Sequence, residues 1–445
     1  MTKTLIYQMF RSAVIILTLL GLPTAQAALT IEITEGVEGA LPIAIVPFAS
    51  DDSNPSWGND LTTVIMADLH RSGRFKVLPQ TDLIARPTEP GKVSFHDWRL
   101  LGMDNLLIGS VKTGAQGYEV RFYLFDVLKS RQIKAFSLPV QAATLRATAH
   151  KISDMVYEAL IGEPGAFLTR VAYVTVQHRA GAAGIHTLWI ADADGHNPRD
   201  ILTSPTEIMS PAWSPDGTKL AYARFEKDHF VVYVQNIAAG TRAVVASALG
   251  HNGAPAWSPD GNKLALTMQH KRHPGDAGNF DIYILDLRSK VMTRVTEHWA
   301  VETHPAWSPD ASYLVFTSDR SGRPQIYRKA LGGGKEERLT FEGVENDRAS
   351  FAPNGKMLAM IHANSGEYRV AVFDLETGQL RVLTDSTLDE SPSFAPNGSM
   401  IIYATTFKNA KILAAISVDG RVKQRLSQEG RVLDPAWSPL LQTSQ

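Results

Sequence analysis

Short apolar runs separated by turn residues dominate the second half of the chain. One run, Lys-Leu-Ala-Tyr-Ala at residues 219–223, lies just behind Gly217, and comparable runs begin at residues 263 and 313. A further apolar run follows in each unit, at residues 230–234, 281–285, 325–327 and 368–373. Runs of this length, bounded by Gly, Pro and Asp, favour strands buried on both faces. The pattern therefore predicts one all-β unit that is repeated several times.

A six-residue motif marks the start of each unit. Pro-Ala-Trp-Ser-Pro-Asp occurs at residues 211–216, 255–260 and 305–310, and degenerate copies occur at 350–355, 393–398 and 435–439. Its Pro and Asp, with the Gly that usually follows, predict a tight turn. Intervals of 44, 50, 44, 43 and 43 residues separate the aromatic anchors, which are Trp213, Trp257, Trp307, Phe351, Phe394 and Trp437. This is the period of a four-stranded propeller blade, so the sequence predicts a six-bladed β-propeller.

The two ends of the repeat region predict how the ring closes. Three strand candidates, at residues 170–174, 187–190 and 199–202, precede the first anchor, and no candidate follows the last one. We therefore expect residues 433–438 to supply the innermost strand of a blade that the first three candidates complete. The predicted propeller covers residues 168–442, and loss of its last strand should open the ring.

A different pattern precedes the propeller. Residues 42–48 form an apolar run that predicts a buried strand, and Asp60 and Gly73 are the predicted N-cap and C-terminal glycine of a helix. Further strands are predicted at 75–78, 105–109, 118–127 and 133–138, with a second helix at 145–161. We expect a small α/β domain over residues 41–163, ended by the turn-rich segment 162–166. The predicted fold class is thus mixed: an α/β domain followed by an all-β propeller.

The first 27 residues have the features of a secretory signal peptide. Lys3 and Arg11 precede an apolar run at residues 13–20, and Ala25 and Ala27 form a small-residue cleavage site. The alternative, a membrane anchor, is disfavoured because the run is too short to span a bilayer. The sequence therefore predicts export to the periplasm, cleavage after Ala27, and no insertion of the mature chain into the membrane.

Residues 28–40 are predicted to form an exposed N-terminal arm. Leu29, Ile31 and Ile33 alternate with polar residues, and Gly36 and Gly39 follow. Such a segment could add a strand to the sheet of a partner. The alternative is an edge strand of its own domain.

Charge and cysteine content narrow the functional classes. The formal net charge is −1 for the whole chain, and it becomes −3 once the signal peptide has removed two basic residues and no acidic ones. A nearly balanced charge does not indicate nucleic acid as a partner. The chain has no cysteine, so an exported form has no disulfide framework and depends on its core.

Several longer sequence motifs give the chain a resemblance to the TolB family of the Tol-Pal cell-envelope system. They are Leu-Gly-Met-Asp at 101–104, the extended repeat at 209–217, His-Asn-Gly-Ala-Pro-Ala at 251–256, Thr-Ser-Asp-Arg-Ser-Gly-Arg-Pro-Gln at 317–325 and Leu-Asp-Glu-Ser-Pro at 388–392. The resemblance covers nearly the whole chain. It implies a non-enzymatic periplasmic scaffold that is a monomer within a multiprotein complex.

The resemblance also implies partners. Proteins of this family are similar in binding Pal, the peptidoglycan-associated lipoprotein, through the propeller, and TolA through the mature N-terminus. The implied role is outer-membrane invagination during cell division and envelope integrity. Other outer-membrane lipoproteins, porins and imported bacteriocins are further partners that the resemblance implies.

The candidate Pal-binding residues lie at the predicted mouth of the propeller channel, where the six innermost strands begin, at residues 209–210, 251–254, 303–304, 346–347, 389–390 and 433–434. They are Met209, His251, Asn252, Gly253, Ala254, Thr303, Asp347 and Glu390. His251, Ala254 and Thr303 match the family's motif residue for residue. The alternative for His251 and Asn252 is that they satisfy backbone groups at the entrance, and Asp347 and Glu390 could be solvated or paired with Arg348. The implied TolA contacts in the arm are Leu29, Ile31, Ile33 and Val37.

The sequence disfavours two other functional classes, an enzyme and a glycan-binding propeller. An enzyme is disfavoured because the chain lacks a Gly-x-Ser-x-Gly elbow, a His-Glu-x-x-His motif and a P-loop. Asp192 begins a segment similar to a calcium loop, but Thr203 stands where the loop needs its final glutamate. We therefore predict no catalytic residue, no metal and no cofactor. The hypothesis of a glycan-binding propeller is weakened because Trp299 is the single aromatic residue close to the mouth positions.

Asp319, Arg320 and Arg323 are predicted to form an ion-pair and hydrogen-bond network that links adjacent blades.

Overall fold

The computed structural model describes residues 39–51, 54–114, 117–177, 184–247, 252–270, 278–426 and 430–441. Within them, one mixed sheet with flanking helices precedes six four-stranded sheets, which form a six-bladed β-propeller. The predicted fold class is confirmed. The predicted signal peptide and nearly all of the predicted arm lie outside the described residues. No helix in the described part of the chain is both long and apolar enough to cross a membrane.

The N-terminal domain contains six strands and three helices. They are β1 (Leu41–Ile45), β2 (Ala49–Ser50), α1 (Trp57–Arg71), β3 (Phe75–Val77), α2 (Phe95–Leu100), β4 (Asn105–Gly114), β5 (Gly117–Asp126), β6 (Arg131–Val140) and α3 (Leu145–Ile161). The sheet has the strand order β3-β1-β4-β5-β6, and β2 pairs with β4. Strands β1, β3 and β4 are parallel, whereas β4, β5 and β6 are antiparallel.

Both faces of this sheet are covered, which explains the unbroken apolar run of β1. Ile43 and Ile45 face a core that α1 and α3 complete, whereas Ala44 and Val46 face a second core that contains Trp98 of α2. Successive residues of a strand point to opposite faces, so a strand between two helical layers is apolar throughout.

Helix α1 begins one turn earlier than the sequence indicated. Ser56 precedes it, so the prediction that Asp60 is the N-cap is wrong, and Asp60 lies in the first turn. Tertiary contacts are the reason. The Gly58 amide donates to the Ser50 hydroxyl at 2.7 Å, and a Cβ on Gly58 would lie 1.9 Å from the Phe48 carbonyl oxygen. This close packing against the chain around β2 holds an additional helical turn in place.

The blades are numbered by the position of their innermost strand in the chain, and the strands of each blade are given from the channel outward. Blade 1 contains β10 (Ile208–Trp213), β11 (Lys219–Glu226), β12 (His229–Asn236) and β13 (Arg242–Ala246), and blade 2 contains β14 (Asn252–Trp257), β15 (Lys263–His270), β16 (Asn279–Asp286) and β17 (Met292–Arg294). Blade 3 contains β18 (Glu302–Trp307), β19 (Tyr313–Ser318), β20 (Gln325–Ala330) and β21 (Glu337–Arg338), and blade 4 contains β22 (Glu345–Phe351), β23 (Met357–Asn364), β24 (Glu367–Asp374) and β25 (Leu380–Val382). Blade 5 contains β26 (Asp389–Phe394), β27 (Met400–Phe407), β28 (Ala410–Ser417) and β29 (Lys423–Leu426), and blade 6 contains β30 (Arg431–Trp437), β7 (Arg170–Gln177), β8 (Ile185–Asp192) and β9 (Arg199–Ser204).

The aromatic anchors join neighbouring blades. The indole N–H of Trp257 donates to the carbonyl oxygen of Ala212 in blade 1 at 3.0 Å. Trp307 makes the same bond to blade 2 at 3.1 Å, and Trp213 makes it to Ala436 of blade 6 at 3.1 Å. The tryptophan anchors of blades 1, 2 and 3 therefore pack within one sheet and satisfy a backbone carbonyl of the preceding blade. Trp437 donates to the Thr169 hydroxyl instead, and blades 4 and 5 carry phenylalanine at this position.

The propeller has two different faces. All innermost strands begin at one face, here called the mouth face, and run to the turns of the repeated motif at the other, here called the turn face. In blades 1 and 2 this turn is Ser-Pro-Asp-Gly. In blade 1 the Ser214 hydroxyl accepts the Lys219 amide at 2.9 Å, and Asp216 accepts the Thr218 amide at 3.0 Å. The same two bonds recur in blades 2 and 3.

The α/β domain contacts the propeller from the turn face. Asn397, in the first turn of blade 5, donates to the Pro164 carbonyl oxygen at 3.0 Å. Asp194, in the turn between β8 and β9, pairs with Arg146 of α3. The mouth face is therefore left uncovered by the α/β domain.

Candidate functional site

Every innermost strand contains a β-bulge close to its start on the mouth face. In blade 1 the register with β11 shifts between Met209 and Ala212, and equivalent shifts occur in the other five blades. A residue within each shift has a φ between 46° and 55°, although none of the six is glycine. A bulge re-aims a side chain. The six residues, here called the bulge ring, line the channel and are Ser210, Ala254, His304, Arg348, Ser391 and Asp434.

The chain after the bulge ring is rigid. Proline follows five of its members, and Ala349 follows Arg348. Proline fixes φ and removes a backbone donor, so it donates no ladder hydrogen bond within the bulge, and pairing resumes at the next residue, Ala212 in blade 1. Together the bulge ring and the following residues line a cavity of about 350 Å³ in the channel.

One carboxylate connects four blades across this channel. Asp434 Oδ1 lies 3.0 Å from Arg348 Nη1 and accepts the Ser391 hydroxyl at 2.7 Å. Its other oxygen, Oδ2, accepts the Ser210 amide at 2.9 Å. Blades 1, 4 and 5 are thereby tied to Asp434 of blade 6, which adds a polar connection to the clasp that β30 forms with β7.

The electrostatics of the network keep its members charged. Burial alone would raise the pKa of Asp434, but the Arg348 charge and the hydrogen bonds hold this pKa below its ordinary value. Burial alone would lower the pKa of Arg348, but Asp434 and Asp347 raise it. The pKa of Asp347 is likewise lowered, against its burial, by His304 and Arg348.

Most of the predicted Pal-binding residues that the structure describes lie at the mouth. Ala254 belongs to the bulge ring. The residues directly before the ring in five blades are all partly exposed, and they are Met209, Gly253, Thr303, Asp347 and Glu390. Because the turn face carries the α/β domain, these residues lie on the uncovered face.

Asn252 differs from the other candidates. It is 1% exposed, and its side-chain amide donates to the Phe230 carbonyl oxygen of blade 1 at 2.8 Å. This geometry favours the structural alternative, in which Asn252 satisfies a backbone group. His251, Leu29, Ile31, Ile33 and Val37 lie outside the described residues.

The two acidic candidates have different partners. Asp347 Oδ1 lies 3.1 Å from His304 Nδ1 and accepts the Thr317 hydroxyl at 2.7 Å. Arg348 Nε lies 3.9 Å from Asp347 Oδ2, so this pairing occurs as one of several contacts. Glu390 pairs with Lys411 rather than with Arg348, which corrects the expectation for that residue.

Two members of the bulge ring were missed. Reasoning from sequence placed the mouth of blades 4 and 5 at the residue pairs 346–347 and 389–390, one position too early. Arg348 and Ser391 occupy the ring in these blades. The signal was present, because each ring residue lies three positions before its aromatic anchor. Arg348 lacks the proline that follows the other ring residues, because Ala349 comes next, whereas Ser391 is followed by Pro392 and could have been found by counting from Phe394.

The expected link between blades through Asp319, Arg320 and Arg323 holds only in part. Arg320 pairs with Glu302 and stacks on Tyr327, both within blade 3. Arg323 does reach the next blade, with Nη1 at 3.0 Å from Glu345 Oε1. The prediction was therefore wrong for Arg320, because the buried carboxylate of Glu302 in its own blade is the nearer partner.

A buried polar cluster lies between the α/β domain and blade 6. Asp68, His150 and Asp194 place potential ligand atoms within 4.8 Å of one another. However, Arg71 lies 3.1 Å from Asp68 Oδ1, and Arg146 pairs with Asp194. Two guanidinium groups already supply the positive charge that a cation would bring, so we interpret the cluster as an ion-pair network between domains.

The geometry defines a class first: a two-domain β-propeller protein whose uncovered channel mouth carries an irregular ring of side chains. Models of the TolB amino-terminal domain and the TolB beta propeller domain match residues 29–133 and 157–441. The Tol-Pal system protein TolB of Nitrosococcus oceani is 51% identical over 95% of this chain and 96% of its own length. That of Thioalkalivibrio sulfidiphilus is 48% identical over 98% and 99%.

A solved structure agrees with these sequence matches. The crystal structure of TolB from Acinetobacter baumannii has a TM-score of 0.84 and 40% identity, and it covers 92% of this chain and 100% of that one. The chain belongs to the TolB family.

Proposed function

We propose that the protein is a non-enzymatic periplasmic scaffold of the Tol-Pal system. It binds Pal through the channel mouth and TolA through the mature N-terminus, and it acts in outer-membrane invagination during division. The observation that carries the proposal is the contrast between the two faces of the propeller. Side chains at equivalent turn-face positions recur from blade to blade, whereas the six equivalent positions of the bulge ring carry five different residue types.

Position and accessibility support the mouth as the Pal-binding surface. The α/β domain approaches the opposite face, so a folded partner can reach Met209, Thr303 and their neighbours without displacing it. The Asp434 network holds the bulge ring in place before any partner arrives. A surface organised in advance loses less conformational entropy on binding.

The scaffold reading is also favoured over hydrolysis. His304 Nδ1 contacts Asp347, a pairing that hydrolases use to orient a catalytic histidine. Among the described residues, however, no serine hydroxyl is hydrogen-bonded to the other nitrogen of His304. The described part of the channel therefore shows no activated nucleophile of the kind that an acyl-transfer site needs.

Binding of TolA is proposed for residues 28–40, which follow the predicted signal peptide. The support is the apolar alternation of Leu29, Ile31 and Ile33 and the family membership of the chain. Deleting this arm should abolish TolA binding and leave Pal binding intact. Equal loss of both would contradict a two-site arrangement.

The first test of the mouth is a calorimetric titration of the mature chain with the soluble domain of Pal. Gly253→Leu should block binding, because a Cβ at Gly253 meets no atom within 4 Å and the added bulk would occupy the mouth without disturbing the fold. Thr303→Ala should weaken binding.

The matched control is Gly332→Leu in the turn between β20 and β21, on the turn face. A Cβ at Gly332 also meets no atom within 4 Å. Unchanged binding by this variant, with loss in Gly253→Leu, would support the mouth. No binding by a folded parent chain would contradict the proposed function.

A further inference from the structure

Three asparagines in the described propeller are followed by glycine. They are Asn252, Asn354 and Asn397. An asparagine side chain is open to attack by the backbone nitrogen of the next residue, and glycine leaves that nitrogen unshielded because it has no Cβ. The attack releases ammonia and converts the asparagine to aspartate or isoaspartate. Each pair is therefore a candidate site for a covalent modification that needs water as its only co-reactant.

Two of these asparagines lie in turns that fold the side chain back over its own chain. In blade 5, Asn397 Oδ1 accepts the amide of Ser399 at 3.1 Å, and in blade 4, Asn354 Oδ1 accepts the amide of Lys356 at 3.0 Å. A bond to the amide two residues further on brings the side-chain carbon Cγ next to the nitrogen of the intervening glycine. Both side chains are therefore positioned for the reaction.

The third asparagine is held differently. Asn252 lies in strand β14 and is buried, and its Nδ2 donates to the Phe230 carbonyl oxygen of blade 1 at 2.8 Å. This bond ties the side chain to a neighbouring blade, and rotation toward the Gly253 nitrogen would break it. We therefore expect Asn252 to be the unreactive member of the three.

At Asn354 the product is already compatible with the fold. Blades 1, 2 and 3 carry aspartate at the same turn position, where Asp216, Asp260 and Asp310 accept the amide two residues further on at 3.0, 3.1 and 3.1 Å. An aspartate at position 354 would accept the Lys356 amide in the same way. Asn354 is exposed, and within the described residues no hydrogen bond joins it to the α/β domain. Its conversion to aspartate should therefore leave the domain contact unchanged.

Asn397 differs because its other end holds the α/β domain. Its Nδ2 donates to the Pro164 carbonyl oxygen at 3.0 Å, within the segment that joins α3 to β7. The orientation of the side-chain amide is fixed, since Ser399 supplies donors to Oδ1 and Pro164 supplies an acceptor. A carboxylate has no donor, so deamidation would set two acceptors against each other. Glu163, next to Pro164 in the chain, adds a like charge.

The same turn lines a small cavity between the two domains. The cavity has a volume of about 30 Å³, and Asn397 and Ser399 line it together with Arg71 and Tyr157 of the α/β domain. Isoaspartate leads the chain through its side chain, which lengthens the backbone of the turn by one methylene group and would move Ser399 relative to Tyr157. Both products therefore act on the domain contact, because aspartate removes a hydrogen bond and isoaspartate also distorts the turn.

We propose that Asn397 is a site of slow, spontaneous deamidation that loosens the contact between the α/β domain and the propeller. The inference is independent of the proposed function, because the reaction involves neither Pal nor TolA. It makes the domain contact dependent on the age of the molecule.

The reaction has two steps. The Gly398 nitrogen loses its proton and forms a bond to Cγ of Asn397, and the bond from Cγ to Nδ2 breaks as ammonia leaves. Water then opens the resulting succinimide ring at either carbonyl, which gives aspartate or isoaspartate. The Gly398 amide donates to the Ala395 carbonyl oxygen at 2.8 Å, and this bond must open before the attack, which makes the reaction slow.

The modification is tested by incubating the mature chain in mildly alkaline buffer and mapping its peptides by mass spectrometry. We expect deamidation at the exposed Asn354 and, more slowly, at the half-buried Asn397. Asn252 should remain unmodified over the same time.

Gly398→Ala is the matched control, because its Cβ shields the attacking nitrogen and leaves Asn397 in place. The nearest atom to such a Cβ is Pro353 Cδ at 3.6 Å, and Ala311 occupies the same turn position in blade 3 with a φ of 57°. The variant should therefore fold, and it should lose the reaction at Asn397 and keep the reaction at Asn354.

The consequence is tested with unaged Asn397→Asp and Asn354→Asp. Chymotrypsin cleavage after Phe167, which is 7% exposed, reports opening of the domain contact. Asn397→Asp should be cleaved there about threefold faster than the parent chain, the effect of losing one hydrogen bond near the surface. Asn354→Asp should be cleaved like the parent chain. Thermal unfolding should confirm that both variants are folded.

The outcomes decide the inference. Aged parent chain that is modified at Asn397 and cleaved faster after Phe167, with aged Gly398→Ala cleaved like unaged protein, supports it. Modification at Asn354 without modification at Asn397 overturns it. Modification at Asn397 with unchanged cleavage also overturns it, as does equal cleavage of Asn397→Asp and Asn354→Asp.

Discussion

The two faces of the propeller differ in how much the side chains at equivalent positions vary from blade to blade. On the turn face, Ser214 and its equivalents Ser258 and Ser308 make the same hydrogen bonds in their blades. On the mouth face, the equivalent positions carry serine, alanine, histidine, arginine and aspartate on one shared backbone conformation. Positions that recur in sequence close turns, and positions that share only a backbone shape are free to differ. The difference singles out the mouth face as the surface where the six blades present different side chains.

The largest effect is expected from removing β30, the strand that closes the ring by pairing with β7. Termination after Gly430 deletes β30, whose partner in the sheet is β7 and whose Asp434 ties together four blades. We expect loss of cooperative unfolding and rapid proteolysis of the propeller, because two apolar sheet faces lose their neighbour. Circular dichroism and limited proteolysis would show this.

Adding back a synthetic peptide of residues 430–441 provides the control. Recovery of a cooperative transition would assign the effect to the missing strand. A truncated chain that unfolds like the parent chain would show that the ring closes without β30.

A smaller effect is expected from an anchor that joins two blades. Trp257→Ala should reduce the free energy of unfolding by about 3 to 5 kcal/mol, since a large buried ring is lost. Trp257→Phe keeps the ring and loses the bond to the Ala212 carbonyl oxygen, so it should cost about 1 kcal/mol. Blades 4 and 5 already carry phenylalanine at this position. A Trp257→Phe variant that is as stable as the parent chain in denaturant titrations would refute the contribution of the bond between blades.

The turn-face domain junction should respond to pH in the opposite direction from the mouth. Asp154 of α3 accepts the amides of Phe167 at 2.8 Å and Leu168 at 3.1 Å, and burial raises its pKa to about 6. The folded state therefore binds this proton more tightly than the unfolded state, so stability falls as the pH rises from about 4 to about 6. The full loss is up to about 3 kcal/mol, at about 1.4 kcal/mol per pKa unit.

Comparing Asp154→Asn with the parent chain between pH 4.5 and 7 checks this expectation, since the variant cannot titrate. The mouth carboxylates Asp347 and Asp434 have lowered pKa values, so their contribution is present above their ordinary range and is lost as the pH falls below about 4. Stability that declines equally in both proteins over the measured range would exclude Asp154 as the source.

The smallest effects compare two serines of blade 1. Ser214→Ala leaves the Lys219 amide without its partner on the turn face and should cost about 1 to 2 kcal/mol. Ser210→Gly on the mouth face relieves a φ of 52°, which offsets the greater freedom of glycine in the unfolded chain, so stability should stay within about 0.5 kcal/mol. Calorimetric melts of the two variants would decide. A larger cost for Ser210 would mean that the mouth residue also supports the fold.

The blade number, the turn chemistry and the mixed fold class could be read from the sequence because they depend on local patterns. The period of Trp213 and its equivalents gives the blade number, and the Pro, Asp and Gly of each repeat fix the turns through their backbone preferences. The same counting could have located Arg348 and Ser391, which lie three residues before their anchors. The ion-pair partner of a long charged side chain could not be predicted from the sequence. Arg320 is an example, because its pairing with Glu302 depends on distances across the sheet.

What the sequence determined by itself was thus the set of repeated elements and their order along the chain. Only the tertiary structure decided which positions share the mouth, that Asp434 connects four blades, and that the α/β domain contacts the opposite face. It also placed the exposed apolar residues of three separate connections on the mouth face. The physical reason is that strand and turn preferences act over a few residues, whereas the geometry of a closed ring brings together residues more than two hundred positions apart, such as Ser210 and Asp434.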